Sequence, residues 1–113
     1  MTKNKRTLRQ IFELQCQICK SMAHAVRLEI VDLLSQKERT ASFLIAELET
    51  SKANLSKHMA VLIQAGIVGQ RRHGRQVSYF LPHPEIHHAC SIMRSILYQR
   101  LKRGEKLADA MKP

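Results

Sequence analysis

A mainly α-helical fold carrying one two-stranded β-hairpin is predicted by three observations. Apolar residues recur at steps of three and four over most of the chain, the pattern turns extended on either side of His73-Gly74, and helical spacing returns after Pro84. With 113 residues the chain can build one compact core, and no repeat or break in composition marks a second domain, so a single domain over residues 1–113 is expected.

Leu8, Ile11, Phe12, Cys16, Cys19 and Met22 fall on one stripe and predict a first helix over about 5–20. Val26, Ile30, Val31, Leu33 and Leu34 predict a second, which ends at the polar stretch Ser35 to Thr40, a surface loop by composition. Ala41 to Leu48 makes a short third helix with Thr40 placed to cap it. Glu49, Thr50 and Ser51 break the pattern; Leu55, Met59, Leu62 and Ile63 resume it, so a fourth helix starts near Ser51 and stops before Gly66.

Ile67 to Arg72 and Gln76 to Leu81 are extended candidates joined at Gly74, where a glycine supplies the backbone freedom that a tight turn demands. Pro82 and Pro84 close this hairpin, which spans about 67–81. Ile86, Ala89, Cys90, Met93, Leu97 and Leu101 form the apolar stripe of a fifth helix over about 84–103, and the polar tail from Lys102 is expected to fray.

Lysine and arginine number 19 against 9 acids, a net charge of +10 that draws the surface toward a polyanion, either nucleic acid or an anionic membrane. No apolar run is long enough to cross a bilayer, and the basic start Met1 to Arg9 leads into Gln, Glu and Cys where a signal peptide would be apolar. A cytoplasmic protein without a membrane partner is expected. Three cysteines form an odd set that argues against a disulfide framework, leaving metal binding, redox chemistry or plain burial for them.

The order of the elements narrows the polyanion. A short helix, a turn of about three residues and a longer helix opening on small polar residues form a helix-turn-helix over about 41–65, whose second helix can enter the major groove; the hairpin behind it is a wing. Ser51, Lys52, Asn54, Ser56, Lys57 and His58 take positions that can face base edges and phosphates, with a merely solvated helix face as the alternative. Between Glu49 and Glu85 there is no Asp or Glu, while Lys52, Lys57, Arg71, Arg72 and Arg75 all lie there, which excludes acids from where phosphates would sit. Arg71, Arg72 and Arg75 flank the hairpin tip, where they can follow the backbone or reach a minor groove. Double-stranded DNA is therefore the expected partner. Tyr79 and Phe80 alone make too small a stacking platform for RNA, and neither a Gly-rich phosphate loop nor a catalytic constellation supports an enzyme.

Three stretches in this order, KSMAHAVRLEIVDLL (Lys20 to Leu34), SKANLSKHMAVLIQAGIV (Ser51 to Val68) and RRHGRQVSYFL (Arg71 to Leu81), resemble the ArsR family of winged helix-turn-helix repressors, and the likeness covers nearly the whole chain. The resemblance implies a homodimer joined through the first and last helices, two recognition helices on a palindromic operator, and repression relieved by an effector. Twofold pairing agrees with the residues themselves, because the first and last helices each carry an apolar stripe with only a small core to share.

For the effector, the resemblance points to sensor positions that this sequence fills differently. The Cys-x-Cys pair of arsenic-sensing members corresponds to Leu44 and Ala46. The carboxylate and histidines that zinc-sensing members spread along the last helix are represented by His83, Glu85, His87 and His88 at its start, with no His, Asp or Glu from Ser91 to Arg103 to complete a site. Cys16 and Cys19, three apart on one helix face, could ligate one soft ion together with Cys90 from the last helix. No cofactor is required by any motif, and a thiolate-bound metalloid or soft metal ion, or a sulfur-directed oxidant, is what these thiols would accept; buried packing residues are the alternative.

Overall fold

A computed structural model describes residues 4–102 and 106–112. The elements are α1 (Lys5–Ser21), α2 (Ala25–Gln36), β1 (Arg39–Thr40), α3 (Ala41–Glu47), α4 (Lys52–Gln64), β2 (Gly69–His73), β3 (Gln76–Phe80), α5 (Ile86–Leu101) and α6 (Lys106–Ala110). They group into two compact units, Met1–His83 and Pro84–Pro113.

In the first unit four helices start on side chains that satisfy otherwise orphaned backbone N–H groups. Thr7 N–H donates to Asn4 Oδ1 at 2.8 Å, Val26 N–H to His24 Nδ1 at 3.1 Å, Phe43 N–H to Thr40 Oγ1 at 3.1 Å and Asn54 N–H to Ser51 Oγ at 3.0 Å. The turn between α3 and α4 passes through Glu49, whose φ of 50° is left-handed. A side chain there costs about 1 kcal/mol or more.

The hairpin forms as expected, with pairs running from Gly69↔Phe80 to His73↔Gln76 and Gly74 at φ 65° in the turn. The two-stranded wing is nevertheless part of a three-stranded antiparallel sheet of order β1-β3-β2. Arg39 pairs with Tyr79 and Thr40 with Ser78, inside the stretch expected to be a surface loop. The pairing satisfies backbone groups on the outer edge of β3.

Apolar faces of α2, α3, α4 and the hairpin close over one core. Ile30, Val31, Leu44, Leu55, Met59 and Leu62 are almost wholly enclosed, joined by Leu34, Ile67, Val68, Tyr79 and Leu81. Each such side chain contributes about 1.5–3 kcal/mol through burial. In α1 the apolar side chains behave differently: Leu8, Ile11, Phe12, Leu14 and Ile18 are exposed, Phe12 by 58%.

In the second unit α5 buries none of its residues, and Ile92, Met93, Ile96 and Leu97 are all exposed. The tail expected to fray instead forms α6, with Ala108 buried, which makes six helices among the described residues where five were expected. Residues 103–105, which include the expected end of the fifth helix at Arg103, lie outside the described residues.

Candidate nucleic-acid interface

The helix-turn-helix consists of α3, the turn 48–51 and α4. Burying Leu55, Met59 and Leu62 fixes the rotation of α4, so the residues between them are delivered outward. Ser51, Lys52, Ser56 and Lys57 are exposed. Asn54 is half-buried and its Nδ2 donates to Thr50 Oγ1 at 2.8 Å, which fixes the amide at the start of the helix. Thr50 was not singled out from the sequence.

His58 departs from its expected outward position: it is only 7% exposed. Its Nδ1 accepts from Arg27 Nε at 3.1 Å, and its ring lies 4.5 Å from that of His24. Burial pushes its pKa below the usual imidazole value, and the charges of His24, Arg27 and Lys57 push the same way. The spacing held the signal, since 55, 58, 59 and 62 form one helical stripe on which a polar residue concealed the continuity.

On the hairpin, Arg71, Arg72 and Arg75 are exposed. Arg72 and Arg75 line, with Lys52, Ser56 and Gln70, a concavity of about 370 Å³ between α4 and the wing whose floor includes Leu55, Met59, Val77 and Tyr79. No carboxylate lines it. Burial raises the pKa of the Tyr79 hydroxyl, which stays protonated at neutral pH.

Arg71 is not the uncompensated cation that the acid-free window predicted. Glu38, 33 positions earlier, accepts from Arg71 Nε at 2.9 Å and from the buried Ser78 hydroxyl at 2.6 Å. The Ser78 bond and then the Arg71 bond hold its carboxyl below the usual carboxylate range. The guanidinium also stacks 4.1 Å from the centre of the Phe80 ring. That ring in turn covers Gly69, where a Cβ would stand 2.4 Å from Phe80 Cζ, so any side chain there would force the ring to move.

Cys16 and Cys19 are exposed on α1, and so are not packing residues within the chain; Cys90, on α5, is half-buried and engaged with a neighbour. Among the described residues no three His, Cys, Asp or Glu side chains come together to hold a metal ion. None of the described helices is long and apolar enough to cross a membrane.

Residues 22–71 match a helix-turn-helix domain model. The HTH-type transcriptional regulator Rv0081 of Mycobacterium tuberculosis is 30% identical over 88 residues, 77% of each chain. Its crystal structure superposes with a TM-score of 0.74 over 82% of this chain and 94% of that one, at 29% identity. The arsenical resistance operon repressor of Escherichia coli is 38% identical over 74 residues, 64% of this chain and 63% of that one. The homodimeric winged helix-turn-helix DNA-binding domain of Mb0332 from Mycobacterium bovis, a possible ArsR-family regulator, shares the fold with a TM-score of 0.78 over 91% of this chain and 95% of that one, at 20% identity. Taken with the exposed first turn of α4 and the cationic concavity beside it, the likeness to the relatives at 30% identity or more places the chain in the ArsR family of DNA-binding, winged-helix transcriptional regulators, not among enzymes.

Proposed function

We propose that the chain is a homodimeric repressor that grips a palindromic operator and releases it when an effector acts on the thiols of Cys16, Cys19 and Cys90. The DNA-binding half of this reading rests on the concavity between α4 and the wing, which gathers Lys52, Arg72 and Arg75 with no carboxylate among its lining residues. Ser51, Asn54 and Ser56 read base edges from the first turns of α4; Lys52, Lys57, Arg72 and Arg75 meet phosphates. Arg71 joins them once released from Glu38. His58, turned inward, supports the helix from behind.

The dimer half rests on the apolar side chains that α1 and α5 each leave exposed, because contiguous exposed apolar patches mark interaction surfaces. A second copy covers both. The exposed thiols of Cys16 and Cys19 sit among those side chains, so a metalloid, a soft metal ion or an oxidant that engages them in the reducing cytoplasm alters the surface that sets the spacing of the two recognition helices. Cys90 supplies a third sulfur from α5.

The test is the affinity of the fully reduced protein for the DNA upstream of its own gene, at fixed salt, before and after arsenite or a thiol oxidant. The expected result is a large loss of affinity that vanishes when Cys16, Cys19 or Cys90 is replaced by Ser. Tight binding unchanged by both treatments would leave a constitutive repressor and sink the thiol reading. Absence of binding in the reduced state would sink the repressor reading itself.

A further inference from the structure

Behind the recognition helix lies a second hollow, of about 550 Å³, lined by His24, Arg27, Asn54, Lys57, His58, Ala60 and Val61. Five of these seven residues carry side-chain nitrogen and none carries a carboxylate. Its wall joins two parts of the first unit, the α1–α2 turn with the start of α2, and the outer flank of α4.

Arg27 is the pivot. Its Nε donates to His58 Nδ1 and its Nη1 to the Ser21 carbonyl, both at 3.1 Å. Both partners are neutral groups: burial keeps His58 uncharged near neutral pH, and a carbonyl carries no charge. These two bonds aim the guanidinium and commit two of its five N–H groups without neutralising it. A half-buried guanidinium held this way, with Lys57 and His24 beside it, is a preorganised anion site. Lys57 stands on the recognition helix itself, so an anion seated here lies next to DNA held in front of α4.

We infer that this hollow takes one backbone phosphate of the bound duplex, on the flank of α4 opposite the wing, held by Arg27, His24 and Lys57. The inference rests on the DNA-binding reading above and adds a second clamp to it: with the wing on one side and the α2 start on the other, the recognition helix is gripped through phosphates on both flanks. Such contacts set orientation and carry no sequence information directly. His58 is here a positioning residue, holding Arg27 without touching the phosphate.

The test uses the full chain and a duplex selected by it from a random library, in which each backbone phosphate is replaced singly by a neutral methylphosphonate. One linkage per recognition helix is expected at which neutralisation weakens wild-type binding about tenfold, or about 1.4 kcal/mol, but weakens Arg27→Gln and His24→Gln less than twofold. His24 is exposed, and although its variant gives up the cap on Val26 N–H it leaves the Arg27–His58 bond in place, so it keeps the test decisive if Arg27→Gln is unstable. Equal losses in all three proteins at every linkage would overturn the inference. Failure of the wild type to select any duplex would instead overturn the DNA-binding reading on which it stands.

Discussion

Replacing Glu38 by Gln should tighten binding to DNA of any sequence and make it more sensitive to salt. Glu38 holds Arg71 at 2.9 Å and is the acid that the fold brings onto a cationic wing. Glutamine keeps the length of the side chain and an oxygen for the Ser78 hydroxyl, but removes the charge that competes with phosphate for the guanidinium. One released arginine adds about one phosphate contact, which steepens the slope of log affinity against log salt by about 0.9. Over a fourfold change, from 50 to 200 mM, that slope corresponds to about a 3.5-fold change in the ratio of variant to wild-type affinity, with the variant favoured most at low salt. Fluorescence anisotropy on a labelled random-sequence duplex, at four or five salt concentrations, measures the slope directly. A variant slope equal to or shallower than that of the wild type would refute the reasoning, because Glu38 would then not be restraining a phosphate contact.

The same carboxylate gives a pH dependence of stability. Its folded pKa is depressed, so its contribution is present above the unfolded carboxylate value and is lost as pH falls through the folded value; acid titration of the wild type should show a loss below about pH 4.3 that Glu38→Gln lacks. For His58 the folded pKa is also depressed, but the group is a base: the unfolded chain takes up more protons below about pH 6.5, so stability should fall on acidification from pH 7.5 to 5.5 and fall less in His58→Gln, as read by urea midpoints. Leu44→Ala, at a site with 0% exposure, should cost about 2–5 kcal/mol in urea unfolding; a loss under 1 kcal/mol would mean that the core closes around the gap. Gly69→Ala should cost about 1–3 kcal/mol and displace Phe80, together with the arginine stacked on it, so a crystal structure of the variant with Phe80 unmoved would contradict the packing described.

Periodic, local features were legible in the chain alone. The stripes of α1, α2, α4 and α5, the cap at Thr40, the start of α4 near Ser51 and the turn at Gly74 all depend on neighbours a few positions away, and all stand within a residue or two of their expected places. What escaped was non-local or too short to show a period. Arg39 and Thr40 become a strand only because β3 offers them an edge some 40 positions later, and two residues cannot display alternation. Glu38 joins the wing across a similar separation, so an acid-free window in sequence was not acid-free in space. α6 is five residues of mixed character, shorter than any apolar stripe can reveal. His58 was misplaced by residue type, because polarity outweighed a spacing that put it on the buried row.

Thr40 belongs to two structures at once, pairing with Ser78 in the sheet and capping α3 through Phe43 N–H. The base of the hairpin is thereby joined to the first helix of the helix-turn-helix, while its tip beyond Arg72 and Val77 has no pairing partner in β1. Insertions at Gly74-Arg75 can therefore lengthen the wing without rotating α4, the helix that carries Asn54 and Ser56. If α4 reads the bases and the wing follows the backbone, as proposed above, a graft of a longer tip should shift the footprint outward while the preferred bases stay the same.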